Sequence, residues 1–281
     1  MEILHLYKDY WPVLGGIENH VKLLAEAQAA QGDDVTVLVT SPTHRTAVQM
    51  MNGVRVIKAA RLATIASTPL SVMLPFHLAR QRPDVVHLHF PYPLSEVSQL
   101  LVGRARHSVV TYHSDVVRQK QILRFYRPIM LRALARVDRI IATSPDYVES
   151  SPVLRTFRHK VRVVPFGIEQ TRFLRPDREA AARLRRRLGG GPLLLFVGVL
   201  RYYKGLDYLL QAMPEIDARL VVVGDGPMGD AWRDLTRSLG FGDRAIFAGR
   251  VSDEELPTYY ASADIFCLPA SERSEAFGLV Q

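Results

Sequence analysis

Cysteine is almost missing from this chain: Cys267 stands alone among 281 residues. One thiol excludes an internal disulfide framework and suits a reducing compartment. Also missing is any apolar run long enough to cross a bilayer. The opening residues MEILHLYKDYW lack the basic start, apolar middle and small-residue cleavage site of a secretory leader. These absences make a cytoplasmic location the expectation. The dinucleotide fingerprint G-x-G-x-x-G does not occur. No zinc-finger spacing and no aromatic-studded RNA motif is found, so nucleic acid is not an expected partner. His87 and His89 share one face of the strand-like HLH segment, but no further ligands stand at workable spacing, so no metal is expected and the pair reads as strand packing.

What is present is ordinary globular material, 48% hydrophobic and 23% charged, with a length that suits about two domains. The net charge of +8 is uneven. Residues 1–173 carry 22 Lys and Arg against 13 Asp and Glu, while residues 174–281 carry 14 against 15. The basic half either faces an anionic partner, such as a phosphorylated substrate or an anionic lipid surface, or simply decorates its surface with arginine.

Strand and helix patterns alternate along the first half. Strands are expected at 2–7, 34–40, 54–60, 83–90, 107–113, 139–144 and 161–167. Helices are expected at 17–32, where Val21, Leu24, Ala25 and Gln28 gather near one face, and at 71–81, 94–104 and 116–137. The rhythm breaks at TRFLRPDREAAARLRRRLGGGP (171–192), which places a domain boundary near 172–176. It then restarts with strands at 192–200, 218–226, 244–249 and 264–270 and helices at 205–213, 229–240 and 253–263. Alternation of this kind gives two α/β domains with parallel, doubly wound sheets, 1–173 and 174–281, facing a cleft, with ligands at the carboxyl ends of strands.

Several loops carry chemistry. Gly15-Gly16 precede a helix and form either a plain turn or a cradle whose backbone N–H groups meet a phosphate. His113 ends a strand in TYHSD and either caps the next helix or hydrogen-bonds a substrate. Arg201 and Lys204 follow the first strand of the second half, as solvated cations or as a diphosphate clamp. Gly226 lies in the tight turn of VVVGDGP. Ser252 or Asp253 caps a helix that has Glu255 in its first turn, and Asp264 opens a strand that leads to SEAFGLVQ.

In family order, the segments GGIENHVKLLAEAQAAQGDDVTVLVT, DVVHLHFP, TYHSD, IIATSP, VVPFGIE, VGVLRYYKGLDYLLQAM, VVVGDGP and GRVSDEELPTYYASADIFCLPASERSEAFGLV cover nearly the whole chain. Together they resemble the retaining, nucleotide-sugar-dependent glycosyltransferases of family 4, which have two Rossmann-like domains in the type B fold. The resemblance implies that 1–173 is the acceptor-side domain and 174–281 the donor domain. Glu275 matches the first glutamate of the family's signature pair, placed on hydroxyls of the donor sugar. The partner glutamate would fall at position 283, so the second domain is expected to be truncated. By the same matching, the backbone of Ala276, Phe277, Gly278, Leu279 and Val280 approaches sugar and diphosphate. Gly16 lies under the diphosphate, His113 near the reacting centre, and Lys204 on the diphosphate. The family's arginine position holds Val199 here, and Arg201 takes its place. Arg250 and Val251 line the base pocket.

The implied reaction is transfer of a sugar from a UDP- or GDP-sugar, with retention, to a glycan or lipid-linked acceptor in polysaccharide, lipopolysaccharide or glycolipid synthesis. Lys204, Arg201 and the Gly16 amide would stabilise charge on the departing diphosphate. No carboxylate is assigned as a covalent nucleophile, and the two-carboxylate scheme of glycoside hydrolases does not apply. Loops 41–53 and 61–70 are expected to select the acceptor. Residues 116–139 interleave Ile122, Phe125, Tyr126, Ile129, Met130 and Leu134 with six arginines and Lys120. They form either an interfacial helix for the inner face of the cytoplasmic membrane or a core-facing helix with a solvated basic face. Two rival readings are a non-catalytic nucleotide-sugar-binding fragment and a type B nucleotide-sugar epimerase; SERSEAFGLV speaks against the latter.

Overall fold

A computed structural model describes the chain apart from residues 14, 66–67, 117–119, 169–170, 271, 273–277 and 279, and apart from the side chains of 120–123 and 172. The chain forms two compact units, Met1–Phe166 and Gly167–Gln281. The sequence-based boundary lay at 173/174.

The first unit runs β1 (Glu2–Leu6), α1 (Gly16–Ala30), β2 (Asp34–Thr40), β3 (Ala47–Met51), β4 (Val54–Ala59), β5 (Ala63–Ile65), β6 (Thr68–Leu70), α2 (Met73–Ala79), β7 (Val85–Phe90), α3 (Pro93–Val102), β8 (His107–Tyr112), α4 (Lys120–Arg136), β9 (Arg139–Ala142), α5 (Pro145–Ser150), α6 (Pro152–Thr156) and β10 (Val161–Val163). Its main sheet has the order β10-β9-β8-β7-β1-β2-β4-β3, parallel throughout except for the antiparallel edge strand β3. The order reverses at β1: β2 and β4 extend it one way, β7 to β10 the other. A crevice at the carboxyl ends of β1 and β7 is therefore the topological switch point.

The second unit runs α7 (Thr171–Leu174), α8 (Arg178–Arg187), β11 (Leu193–Val197), α9 (Leu206–Ala212), β12 (Arg219–Val223), α10 (Gly229–Ser238), β13 (Ala245–Gly249), α11 (Leu256–Ser262) and β14 (Ile265–Phe266). The parallel sheet order is β13-β12-β11-β14, which places a second switch point between β11 and β14. Strand β11, LLLFV, is buried at every position. Leu193, Leu195 and Val197 enter one core, and Leu194 and Phe196 enter the other on the opposite face. That is why the strand reads as a continuous apolar run rather than an alternating one.

Several sequence-based elements are corrected. Residues 41–53 contain β3, and 61–70 contain the hairpin β5–β6. The expected strand 161–167 pairs only over Val161–Val163, because its neighbour β9 is four residues long. The expected strand 264–270 is reduced to Ile265–Phe266. Cys267 N still donates to Leu195 O at 2.8 Å, but Pro269 has no N–H to continue the ladder. The turn that leads into α11 holds a reciprocal pair of the capping-box kind: Glu255 N donates to Ser252 Oγ and Ser252 N donates to Glu255 Oε2, both at 3.2 Å.

Candidate functional site

The chemistry of the first unit collects beside its switch point. His5 on β1 lies directly opposite His87 on β7 in the parallel register, and His89 follows on the same face. His113 extends β8 by one residue, its N–H donating to Phe90 O at 3.1 Å. Helix α1 faces this row with His20 and Gln28, two turns apart. The five imidazoles form one assembly. His5 Nδ1 is 3.1 Å from His89 Nε2, and His89 Nδ1 is 3.1 Å from His113 Nε2. His87 stacks on His89 with 4.5 Å between centroids and bonds Thr111 Oγ1 at 2.7 Å. His20 packs 4.2 Å from Phe166 and edge-on to His113.

Burial pushes all five below the ordinary histidine range, His5 and His20 to about 4 and the other three well down. The cluster is therefore neutral at pH 7. Two triads, His5/His87/His89 and His20/His89/His113, bring one nitrogen each to within 4.8 Å of one another. The sequence singled out the HLH pair and, separately, His113, without bringing them together. The strand order joins these three, and it and the phase of α1 add His5 and His20.

Gly15 caps α1 in an extended conformation, φ −176°, so its torsion does not demand a glycine, and the only group close to it is the movable end of the Glu18 side chain. A Cβ there would stand 2.1 Å from Glu18 Oε2. That carboxylate folds back from the first turn over the helix N-terminus and lies 3.7 Å from Lys8 Nζ. The sequence-based reading placed phosphate at Gly15-Gly16 and overlooked the charge of Glu18 beside it.

In the second unit, Lys204 is buried in the loop after β11. Its Nζ lies against Gly198, where a Cβ would be 3.6 Å away. Arg201 is exposed two residues beyond Val199. Gly226 is required by a close approach, since a Cβ would meet Leu200 N and O at 2.7 Å. Gly205, φ +67°, leaves no room either: its Cβ would stand 2.1 Å from Pro269 O, at the exit of β14. Arg250 is exposed after β13, while the partly buried Val251 side chain packs against the core cluster that includes Leu184 and Leu188. Gly278 is buried with φ +68°, and Tyr260 Oη donates to Val280 O at 2.5 Å. Glu275, Ala276, Phe277 and Leu279 lie outside the described residues.

Loops 41–53 and 61–70 meet through Arg61. Its guanidinium donates to Ser41 O at 2.7 Å and to Asp9 Oδ1 at 2.9 Å, and His44 Nδ1 bonds Arg61 O. Helix α4 buries Met130, Ala133 and Leu134, so part of it faces the core. Phe125, 82% exposed, and Ile129 project outward among Arg124, Arg127, Arg132 and Arg136. Arg118 lies outside the described residues. Among the described residues no helix is long and apolar enough to cross a membrane.

Two Rossmann-like units, each with polar groups at the carboxyl ends of its central strands, are the building blocks of the type B fold. Residues 14–172 match the description Glycosyltransferase Family 4, and residues 178–281 match Glycosyl transferases group 1. The chain is 40% identical to the D-rhamnosyltransferase WbpZ of Pseudomonas aeruginosa, over 99% of its own length and 74% of that protein. It is 36% identical to the O-antigen chain mannosyltransferase C of Escherichia coli, over 99% and 75%. Among solved structures, a sucrose-phosphate synthase from Thermosynechococcus elongatus superposes with a TM-score of 0.75 at 24% identity, covering 99% of this chain and 77% of that one. Anabaena Alr3699/HepE in complex with UDP and glucose superposes at 0.74 with 16% identity, covering 97% and 75%. The chain belongs to glycosyltransferase family 4.

Proposed function

We propose that the protein transfers a hexosyl residue, with retention, from a nucleotide-diphosphate sugar to a glycan or lipid-linked acceptor in cell-surface polysaccharide assembly. The second unit holds the donor and the first presents the acceptor. The carrying observation is Lys204: a buried ammonium at the carboxyl end of β11, backed by a glycine, at the switch point of its sheet. A buried cation in that position suits a diphosphate, whose charge grows as the glycosidic bond breaks. Arg201 adds a second cation from the same loop. Glu275 and the backbone of 276–279 are assigned to the sugar and diphosphate by their match to the family signature. Gly16 is assigned to the diphosphate, and Arg250 and Val251 to the base, on the same ground.

The similarity to an O-antigen chain mannosyltransferase favours an acceptor in surface polysaccharide synthesis. The groove lined by Asp9, Tyr10, Pro12, Val13, Thr40 and Lys58 lies beside the Arg61 junction and is the acceptor side. The exposed Phe125 and Ile129 among arginines favour contact with an anionic membrane face, where a lipid-linked acceptor would reside.

Turnover is proposed to need no metal. Thermal shift with UDP, GDP, ADP and their sugar conjugates tests the donor. A selective rise in Tm with one nucleotide supports the reading, and a cooperative melt unmoved by any of them overturns it. Lys204→Ala is expected to abolish the rise. Activity that persists in EDTA supports metal independence, and its loss counts against it.

A further inference from the structure

A cavity of about 210 Å³ lies within the first unit, between α3, α4 and the strands β7 and β8. Its floor is Leu88 and Val110, which are paired across the two strands, and α4 closes it with Ala133 and Leu134. Successive strand residues face opposite sides of a sheet, so Leu88 points away from His87 and His89. The cavity is therefore behind the histidine row and separate from it. The charged residues that line it, from any of these elements, are Glu96 in the first turn of α3 and Arg136 at the end of α4.

Glu96 is 3% exposed, and Tyr92 N donates to its Oε1 at 3.0 Å. Its Oε2 is inaccessible to solvent and has no hydrogen-bond partner among the described residues. The same holds for Oε1 of Gln99, three residues further along the same side of α3. Two bare acceptors on one wall call for a donor. One water needs only roughly 10–15 Å³, far less than this cavity offers. A hydroxyl brings a single hydrogen. An ammonium brings three, together with the charge that lets a buried carboxylate ionise in place. Without such a partner, burial raises the Glu96 carboxyl to about 8.

We propose that this cavity binds a small primary amine, its ammonium donating to Glu96 Oε2 and Gln99 Oε1 and its short alkyl body resting on Leu88, Val110 and Leu134. Glu96 releases its proton to solvent as the ammonium arrives. Arg136 is exposed at the same cavity and repels a second positive charge, so the far end of the ligand is neutral or anionic. No group assigned to sugar transfer takes part, and the amine site does not depend on that reading.

The experiment is carbon NMR of the glutamate side-chain carboxyls in the whole protein, titrated at pH 8 with butylamine, with n-butanol and with putrescine. Butylamine is expected to saturate, to move the Glu96 signal to its ionised position and to lower its titration midpoint. Butanol, of the same length without the charge, should do neither. Putrescine, charged at both ends, should bind about tenfold more weakly than butylamine. Glu96→Gln should weaken butylamine by at least about tenfold, because the amide nitrogen competes with the ammonium and the charge is gone.

A Glu96 signal that butylamine leaves unmoved means that the cavity holds water only, and it overturns the site. So does an equal response to butanol. The wild-type titration needs no variant to fold. A folded Glu96→Gln protein that binds butylamine as tightly as wild type overturns the site as well, and putrescine binding as tightly as butylamine overturns the role of Arg136.

Discussion

Arg185 grips Asp264 through two parallel contacts, Nη1 to Oδ1 at 2.9 Å and Nη2 to Oδ2 at 2.7 Å. The same guanidinium reaches Ser262 O and Gly191 O, and Asp264 Oδ2 also accepts from Leu193 N at 2.8 Å. One fork thus ties α8, the glycine turn before β11, the end of α11 and the start of β14. Hydrogen bonding to Arg185 holds the Asp264 carboxyl below its ordinary value. Lysine cannot reproduce a planar two-point grip. Arg185→Lys should lower the melting temperature of the second unit by a few degrees in calorimetry, and Arg185→Ala by more. Equal melting of all three would show that the fork is ornamental.

The neutral histidines make the fold acid-sensitive. His5 and His20 titrate near 4 in the folded chain against 6.5 in the unfolded one. As pH falls below 6.5 the unfolded state takes protons that the folded state refuses, so stability is complete above 6.5 and is lost progressively towards 4. Each ring contributes a slope of up to about 1.4 kcal/mol per pH unit in that window. Melting temperature should fall between pH 6.5 and 5, where the summed slopes of the buried histidines outweigh the opposite slope of the buried Glu96 carboxyl. His87→Gln, whose amide can still reach Thr111, should flatten the slope.

Glu96 carries the opposite sign. Burial raises its carboxyl from 4.5 to about 8, with Tyr92 N donating to Oε1 at 3.0 Å and no partner for Oε2 among the described residues. The folded state keeps a proton that the unfolded state gives up, so the contribution is complete below 4.5 and is lost as pH rises through 8. Glu96→Gln retains the Tyr92 bond and cannot ionise. It should stabilise the first unit by a few kcal/mol at pH 8 and have little effect at pH 4, as read by denaturant titration at the two pH values.

Gly205 couples the Lys204 loop to the exit of β14. Any side chain there meets a positive φ and the Pro269 carbonyl at once. Gly205→Ala should destabilise the second unit by about 1–3 kcal/mol and weaken nucleotide binding together with it. Lowered stability with unchanged nucleotide affinity would separate the two loops.

The buried strands were legible because their pattern is their environment. DVTVLVT and LLLFV are apolar where the sheet is covered, and they emerged as β2 and β11. Strand β3 was not legible: AVQMM is exposed at its first four positions, so no hydrophobic rhythm marks it, and only pairing with β4 makes it a strand. The hairpin β5–β6 was hidden because three residues on each side are too few to show a rhythm. At the site, Lys204 and His113 could be placed from their position after a strand. Glu18 was missed because its effect on Gly15 depends on a side chain folding back over the helix end. The histidine assembly was missed because residues 5, 89 and 113 become neighbours only once the strand order is known.

The strand order of the second unit also sets a timetable. Strand β11 lies between β12 and β14, and its register with β14, Leu194 to Ile265 and Leu195 to Phe266, joins segments about seventy residues apart. During synthesis β11, β12 and β13 can pair as they emerge, but one flank of β11 stays an open, wholly apolar edge until β14 leaves the ribosome. That edge is the template on which a second nascent chain could add a strand. The arginine fork that docks Asp264 therefore also acts as a clasp, closing the sheet against its neighbours on a crowded polysome.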